Sequence, residues 1–330
     1  MRWSLMIAVS PRFAACGCWG KPDPRKALWL CSSSSSNPTG HALPMSAFSA
    51  RLFLVAAPAL LAGLWILSIS KVDGRLWTVQ LAAISLALVI AAAATFATRL
   101  TRSTGLMWLI TGVTLLGLAA PLLSDRPGPD RWLSVGPLNL YMAPVLLPAF
   151  LVACASVLQG HRPVENIAYV TLVGVCVLIA LQPDVSQVLA MLVGAGVIVA
   201  KLRRVSLRSI AALLSIALAA ACAFAQPDLL EPVAYVELVF SLALSHSIIA
   251  GVGVIATAVA LLLGLQISGV KGSAGLSGAA GYYAVLFACS ILGTTPAPLI
   301  GYGAGPILGF GLMVAVARWH DAMTLERDLR

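Results

Sequence analysis

The chain reads as a series of long apolar runs separated by short polar stretches. The runs occupy 52–70, 78–98, 105–123, 138–158, 166–182, 185–200, 208–225, 237–264, 277–294 and 302–319. A helix that crosses a bilayer needs about 20 consecutive apolar residues. The pattern therefore predicts an all-α, polytopic membrane helix bundle of about ten transmembrane helices. The pair of runs flanking Pro183 is short for this purpose, and the eighth run is long.

Composition excludes a soluble protein. Of the 330 residues, 60% are hydrophobic and only 10% are charged, and the mean hydropathy is +0.95. A soluble domain would have to cover its surface with apolar side chains to carry that balance. The net charge of +9 points to topology rather than to nucleic acid, because the basic residues sit in short loops between runs. One set of loops holds Arg51, Arg99, Arg102, Arg162, Lys201, Arg203, Arg204, Arg208, Lys271, Arg318, Arg327 and Arg330. The other holds Lys71, Arg75, Arg126 and Arg131. The first set is expected to be cytoplasmic. Both termini then lie inside, in keeping with an even number of spans. The outside loops, 71–77, 124–137, 183–184, 226–236 and 295–301, carry most of the carboxylates: Asp73, Asp125, Asp130, Asp184, Asp228, Glu231 and, at the start of the next helix, Glu237.

Residues 1–45 lack a secretory signal, since the apolar stretch near Leu5–Val9 is too short. They read either as a disordered cytoplasmic tail or as an extension upstream of a natural start at Met45. The organisation expected is this extension, a ten-span domain over 46–320, and a cytoplasmic tail over 321–330.

The seven cysteines have no metal-ligand spacing. Cys154, Cys176, Cys222 and Cys289 lie within apolar runs as small apolar residues, and the Cys16–Cys18 pair stands alone in the extension. No metal site or cofactor is expected, with a divalent ion left open. Four ionisable or phenolic residues at membrane depth stand out, because such groups are costly there. Asp184 lies between two spans, where it suits a helix N-cap as well as a functional role. Glu237 opens the eighth run, where a helix dipole also favours it. His246 sits deeper in that run and suits a neutral contact between helices. Tyr302 opens the last run within Gly301-Tyr302-Gly303.

Four short motifs in order then resemble the SEDS family (shape, elongation, division and sporulation), that of FtsW, RodA and SpoVE. Asp130-Arg131-Trp132-Leu133-Ser134-Val135-Gly136 is similar to the family's RWL-x-x-G. Leu181-Gln182-Pro183-Asp184-Val185 is similar to its QPD-L-G-T. The segment from Pro232 through Glu237 to Ser241 is similar to its P-E-x-H-T-D-F-I-F-A, and Pro298-Leu299-Ile300-Gly301-Tyr302-Gly303-Ala304-Gly305 to its P-F-I-S-Y-G-G-S. The resemblance spans roughly 50–320. It implies ten spans in a bacterial cytoplasmic membrane and a role in cell division or cell-shape maintenance. It also implies polymerisation of lipid II at the outer face, beside a class B penicillin-binding protein transpeptidase. Glu237 takes the place of the family's catalytic Asp as general base. Arg131 becomes a candidate for pyrophosphate contact, and Trp132, Asp184 and Tyr302 line the substrate site.

The chain departs from the family at several positions, some of them charged in the family. Tyr141-Met142-Ala143-Pro144 stands for QPSE, Pro148 for a Lys, Ser186-Gln187 for Gly-Thr, Tyr235-Val236 for His-Thr, and Ser245 with His246 for paired Glu residues. These losses motivate an alternative, a catalytically degenerate relative that binds lipid II or a divisome or elongasome partner as a scaffold. A lipid flippase is disfavoured, because no span shows a charged relay or paired broken helices.

Overall fold

The protein is described by a computed structural model over residues 45–100, 105–123, 131–135, 138–159, 162–226, 231–268 and 273–329. The extension before Met45 lies outside the described residues, as do Asp125, Arg126, Asp130, Asp228 and Lys271. The elements in order are α1 (Met45–Ile69), α2 (Gly74–Leu100), α3 (Gly105–Leu122), β1 (Trp132–Val135), β2 (Leu138–Tyr141), α4 (Met142–Gln159), α5 (Arg162–Leu181), α6 (Val185–Lys201), α7 (Leu207–Phe224), α8 (Val239–His246), α9 (Ile248–Ser268), α10 (Ala274–Ile291) and α11 (Ala304–Leu329).

The all-α bundle is as expected, and each of the ten apolar runs contains at least one helix. Among the described residues, eight helices are long and apolar enough to cross a membrane, and α6 is apolar but shorter. Large side chains such as Leu116, Leu214 and Ile249 point outward. That is the arrangement lipid permits and water does not.

Two of the runs are built differently from the simple reading. The fourth run does not begin as a helix at 138. Leu138-Asn139-Leu140-Tyr141 alternates with a period of two, which is a strand pattern. It pairs antiparallel with β1, setting Trp132 opposite Tyr141 and Ser134 opposite Asn139. The Ser134 hydroxyl donates to Asn139 Oδ1 at 2.6 Å, a cross-strand pair that holds this register. Helix α4 starts only at Met142.

The eighth run is broken at Ser247. That residue is extended (φ −167°, ψ 156°) and closes α8, its N–H reaching the Ala243 carbonyl at 3.1 Å. Its hydroxyl then accepts from the Ala250 N–H at 3.1 Å, so it also caps the start of α9. Ser245, His246 and Ser247 in sequence favour such local bonding over helix continuation.

Helices α4 and α10 form the centre of the bundle. Helix α4 is buried on every side from Ala143 to Ala155, which a helix apolar all round requires. Helix α10 packs on α6 through facing glycines. A Cβ on Gly194 would stand 2.9 Å from the Gly278 carbonyl oxygen, and one on Gly278 3.0 Å from that of Gly194. Small residues here let the two backbones touch.

Candidate functional site

The turn between α5 and α6 gathers one group of polar side chains. Asp184 is the N-cap of α6, where its Oδ1 accepts the Gln187 N–H at 3.2 Å. Its Oδ2 accepts the hydroxyl of Tyr141, from the end of β2. Arg131, just before β1, donates from Nε to the Gln182 carbonyl at 2.8 Å and from Nη2 to the Pro183 carbonyl. Gln182 in turn donates to the Leu118 carbonyl of α3. Asp184 is 3% exposed and Arg131 5%. Buried charges persist only where hydrogen bonds replace lost water, and here the turn supplies them. Burial, and next the Asp184 carboxylate, push the Tyr141 phenol well above its ordinary range. Tyr141 therefore stays a neutral donor at physiological pH.

The group extends in both directions. Inward, Tyr282 of α10 donates to Gln187 Oε1. Outward, the indole of Trp132 stacks on Tyr141 with ring centroids 5.3 Å apart and planes 29° off parallel. Trp132 itself remains 40% exposed.

A second group forms around Glu237. The chain after Pro232 makes a tight turn in which the Val236 and Glu237 N–H groups both reach the Val233 carbonyl at 3.0 Å. The Glu237 Oε2 accepts the Val233 N–H at 2.8 Å, so the side chain closes the same turn from the other side. Glu237 is half-buried. Three backbone carbonyls of the turn are tied to α10 and to the loop that follows it. Ser290 Oγ donates to the Glu237 carbonyl at 2.8 Å. Ala297 N–H reaches Val236 at 3.1 Å and Tyr302 N–H reaches Tyr235 at 2.8 Å. The rings of Tyr235 and Tyr302 meet edge to face at 6.0 Å. Gly301 makes the approach possible, since a Cβ there would lie 2.3 Å from the Val236 oxygen.

The structure thus brings Arg131, Trp132 and Asp184 together, and sets Glu237 with Tyr302 in the second group. A hydroxyl pair, Ser186 Oγ and Thr294 Oγ1 at 3.2 Å, joins the two. Two of the five guanidinium donors of Arg131 are thus engaged by carbonyls of the α5–α6 turn. Tyr302 precedes α11 in a turn rather than opening the helix. His246 lies exposed at the α8 end, its ring 5.5 Å from that of Trp65 on α1. Sequence reasoning missed Tyr141 as a site residue. It registered there only the departure of Tyr141-Met142-Ala143-Pro144 from QPSE with the loss of its Glu, and nothing local announces a hydroxyl–carboxylate pair 43 positions apart. Among the described residues, no group of three or more His, Cys, Asp or Glu converges as a metal site would.

No protein-family model matches the chain, and no curated protein is significantly similar to it in sequence. Solved structures are similar in fold. The rod shape determining protein RodA of Thermus thermophilus superposes with a TM-score of 0.59 at 23% identity, covering 84% of this chain and 96% of RodA. An Asp-to-Ala mutant of RodA does so with a TM-score of 0.58 at 24% identity and the same coverage. A chain from a peptidoglycan synthase complex, described for its coordination of polymerization and crosslinking, gives 0.61 at 22% identity, covering 81% of this chain and 96% of that one. The protein is a polytopic helix bundle with the fold of RodA.

Proposed function

We propose that the protein is a divergent SEDS glycosyltransferase that polymerises lipid II at the outer face of a bacterial cytoplasmic membrane. The observation that carries this reading is the placement of Glu237. It is a half-buried carboxylate on a turn pinned by its backbone to α10 and the 293–303 loop, and the order of motifs in the sequence matches it to the family's catalytic Asp. In the reaction an acceptor sugar hydroxyl attacks the anomeric carbon of a second lipid-linked sugar. The bond from that carbon to the pyrophosphate oxygen breaks, the lipid pyrophosphate leaves, and Glu237 takes the hydroxyl proton. A rigid turn suits that role, because proton transfer needs the base held within hydrogen-bonding reach.

The Lys and Arg bias of the loops supports an orientation with both termini in the cytoplasm. Arg204 and Glu165, on the side expected to be cytoplasmic, approach to 3.8 Å. The similarity to a chain of a synthase complex that couples polymerization to crosslinking supports a class B penicillin-binding protein as the partner transpeptidase.

A second reading is a lipid II-binding scaffold. It is favoured by Arg131 and Asp184, both committed to internal hydrogen bonds. Two assays separate the readings. Purified protein with its partner transpeptidase is given lipid II, with and without a divalent cation. Polymer from the wild type and none from Glu237→Ala supports the enzyme. No polymer from the wild type under either condition sinks it. Full complementation of a deletion strain by Glu237→Gln then favours the scaffold.

A further inference from the structure

The β1–β2 ribbon holds an aromatic ring in a fixed pose outside the bundle. Trp132 rests one indole face on Tyr141. Tyr141 is 7% exposed, and its hydroxyl is held by Asp184. The residue before Trp132 is anchored as well, by the Arg131 bonds to the 182–184 turn. With 40% of Trp132 exposed, the indole presents a flat apolar surface whose orientation is set from beneath by buried hydrogen bonds. A tryptophan that only anchors a protein in the headgroup region needs no such backing, since its amphipathic ring suffices. A pre-oriented aromatic plane instead serves recognition, because the entropy of placing it has been met during folding.

We propose that the exposed face of Trp132 is a stacking platform for a pyranose ring of the lipid-linked saccharide, and that Tyr141 is the positioning residue that sets it. The proposal rests on the reading that the ligand is a lipid-linked sugar, and it deepens that reading by assigning the sugar contact. The C–H face of a pyranose is apolar and matches the indole plane, while the sugar hydroxyls remain in water. A bare prenyl pyrophosphate has no pyranose ring to stack on this surface.

The test measures binding, not turnover, on the full chain in detergent. Two ligands are compared, lipid II and the same prenyl pyrophosphate without its sugars. Trp132→Ala is expected to weaken lipid II about tenfold and to leave the bare prenyl pyrophosphate unchanged. Trp132→Leu keeps apolar bulk on Tyr141 and is expected to behave like the Ala variant. Trp132→Phe keeps a flat ring and is expected to retain most of the affinity. Tyr141→Phe is expected to weaken lipid II selectively and by less, with its melting temperature lowered only slightly.

Equal weakening of both ligands overturns the platform in favour of a membrane anchor. Unchanged lipid II affinity in Trp132→Ala, or a wild type with no preference for lipid II over the bare lipid, also overturns it. Unchanged binding by Tyr141→Phe removes the positioning role. A wild type that binds lipid II selectively but makes no polymer defeats the glycosyltransferase reading and leaves the platform standing.

Discussion

The two polar groups on this side of the bundle are built from opposite materials. Around Asp184 the bonds run through side chains: a guanidinium on carbonyls, a phenol on a carboxylate and an amide on a carbonyl, all buried. Around Glu237 they run mainly through the backbone, with the Val236 and Tyr235 carbonyls met by Ala297 and Tyr302 N–H groups. The first construction spends its charges on holding the ribbon and the α5–α6 turn in place. The second fixes a main-chain path and leaves its carboxylate half-buried at the end of a turn. A charge close to water and carried on a rigid backbone suits proton transfer. A buried, fully engaged charge suits positioning.

That contrast breaks most severely at Gly301. An added methyl would meet the Val236 oxygen at 2.3 Å and the Ala297 backbone at 3.1 Å, and backbone atoms give way poorly. Gly301→Ala is expected to cost about 3 kcal/mol, seen as a large drop in melting temperature in detergent; an unchanged transition would show that the loop is not seated on the 233–237 turn. Asp184→Ala comes next. It removes the α6 cap and the acceptor for Tyr141, and takes a carboxylate away from the surroundings of buried Arg131, for roughly 2–4 kcal/mol. Stability equal to the wild type would mean that the side-chain group holds nothing together. Tyr141→Phe removes one donor from that group and is expected to cost about 1 kcal/mol.

The smallest effect on stability is expected at the other group. Glu237→Gln keeps an acceptor for the Val233 N–H and should change stability by only about 0.5 kcal/mol, while abolishing lipid II polymerisation. A variant that polymerises normally would remove Glu237 from the chemistry. A variant that unfolds would make its role structural, like that of Asp184.

Much of the architecture was legible in the chain. The apolar runs predicted the helices, and Asp184 could be read as an N-cap from its place after Pro183. The ribbon was partly legible too, in the alternation of Leu138 to Tyr141 inside an otherwise continuous apolar run. Length hid it, because a run of 21 residues satisfies the bilayer requirement by itself. The break at Ser247 was hinted at only by the excess length of the eighth run, which reads as one span with His246 inside it. Glu237 was found through the order of motifs, not through its surroundings, since Ser290, Ala297 and Tyr302 lie more than fifty positions away.

What the sequence alone determined about this protein is its solvent and its elements. Lipid cannot satisfy backbone polar groups, so each long apolar run must satisfy its own, and the helix does so locally. What only the tertiary structure decided is which polar groups meet. Arg131 reaches its carbonyl 51 positions away, Tyr141 its carboxylate 43 away, and Ser290 its carbonyl 53 away. No local periodicity encodes those distances. They follow from how α4, α6 and α10 pack, and that packing turned one carboxylate into a buried strut and left another at the edge of the bundle.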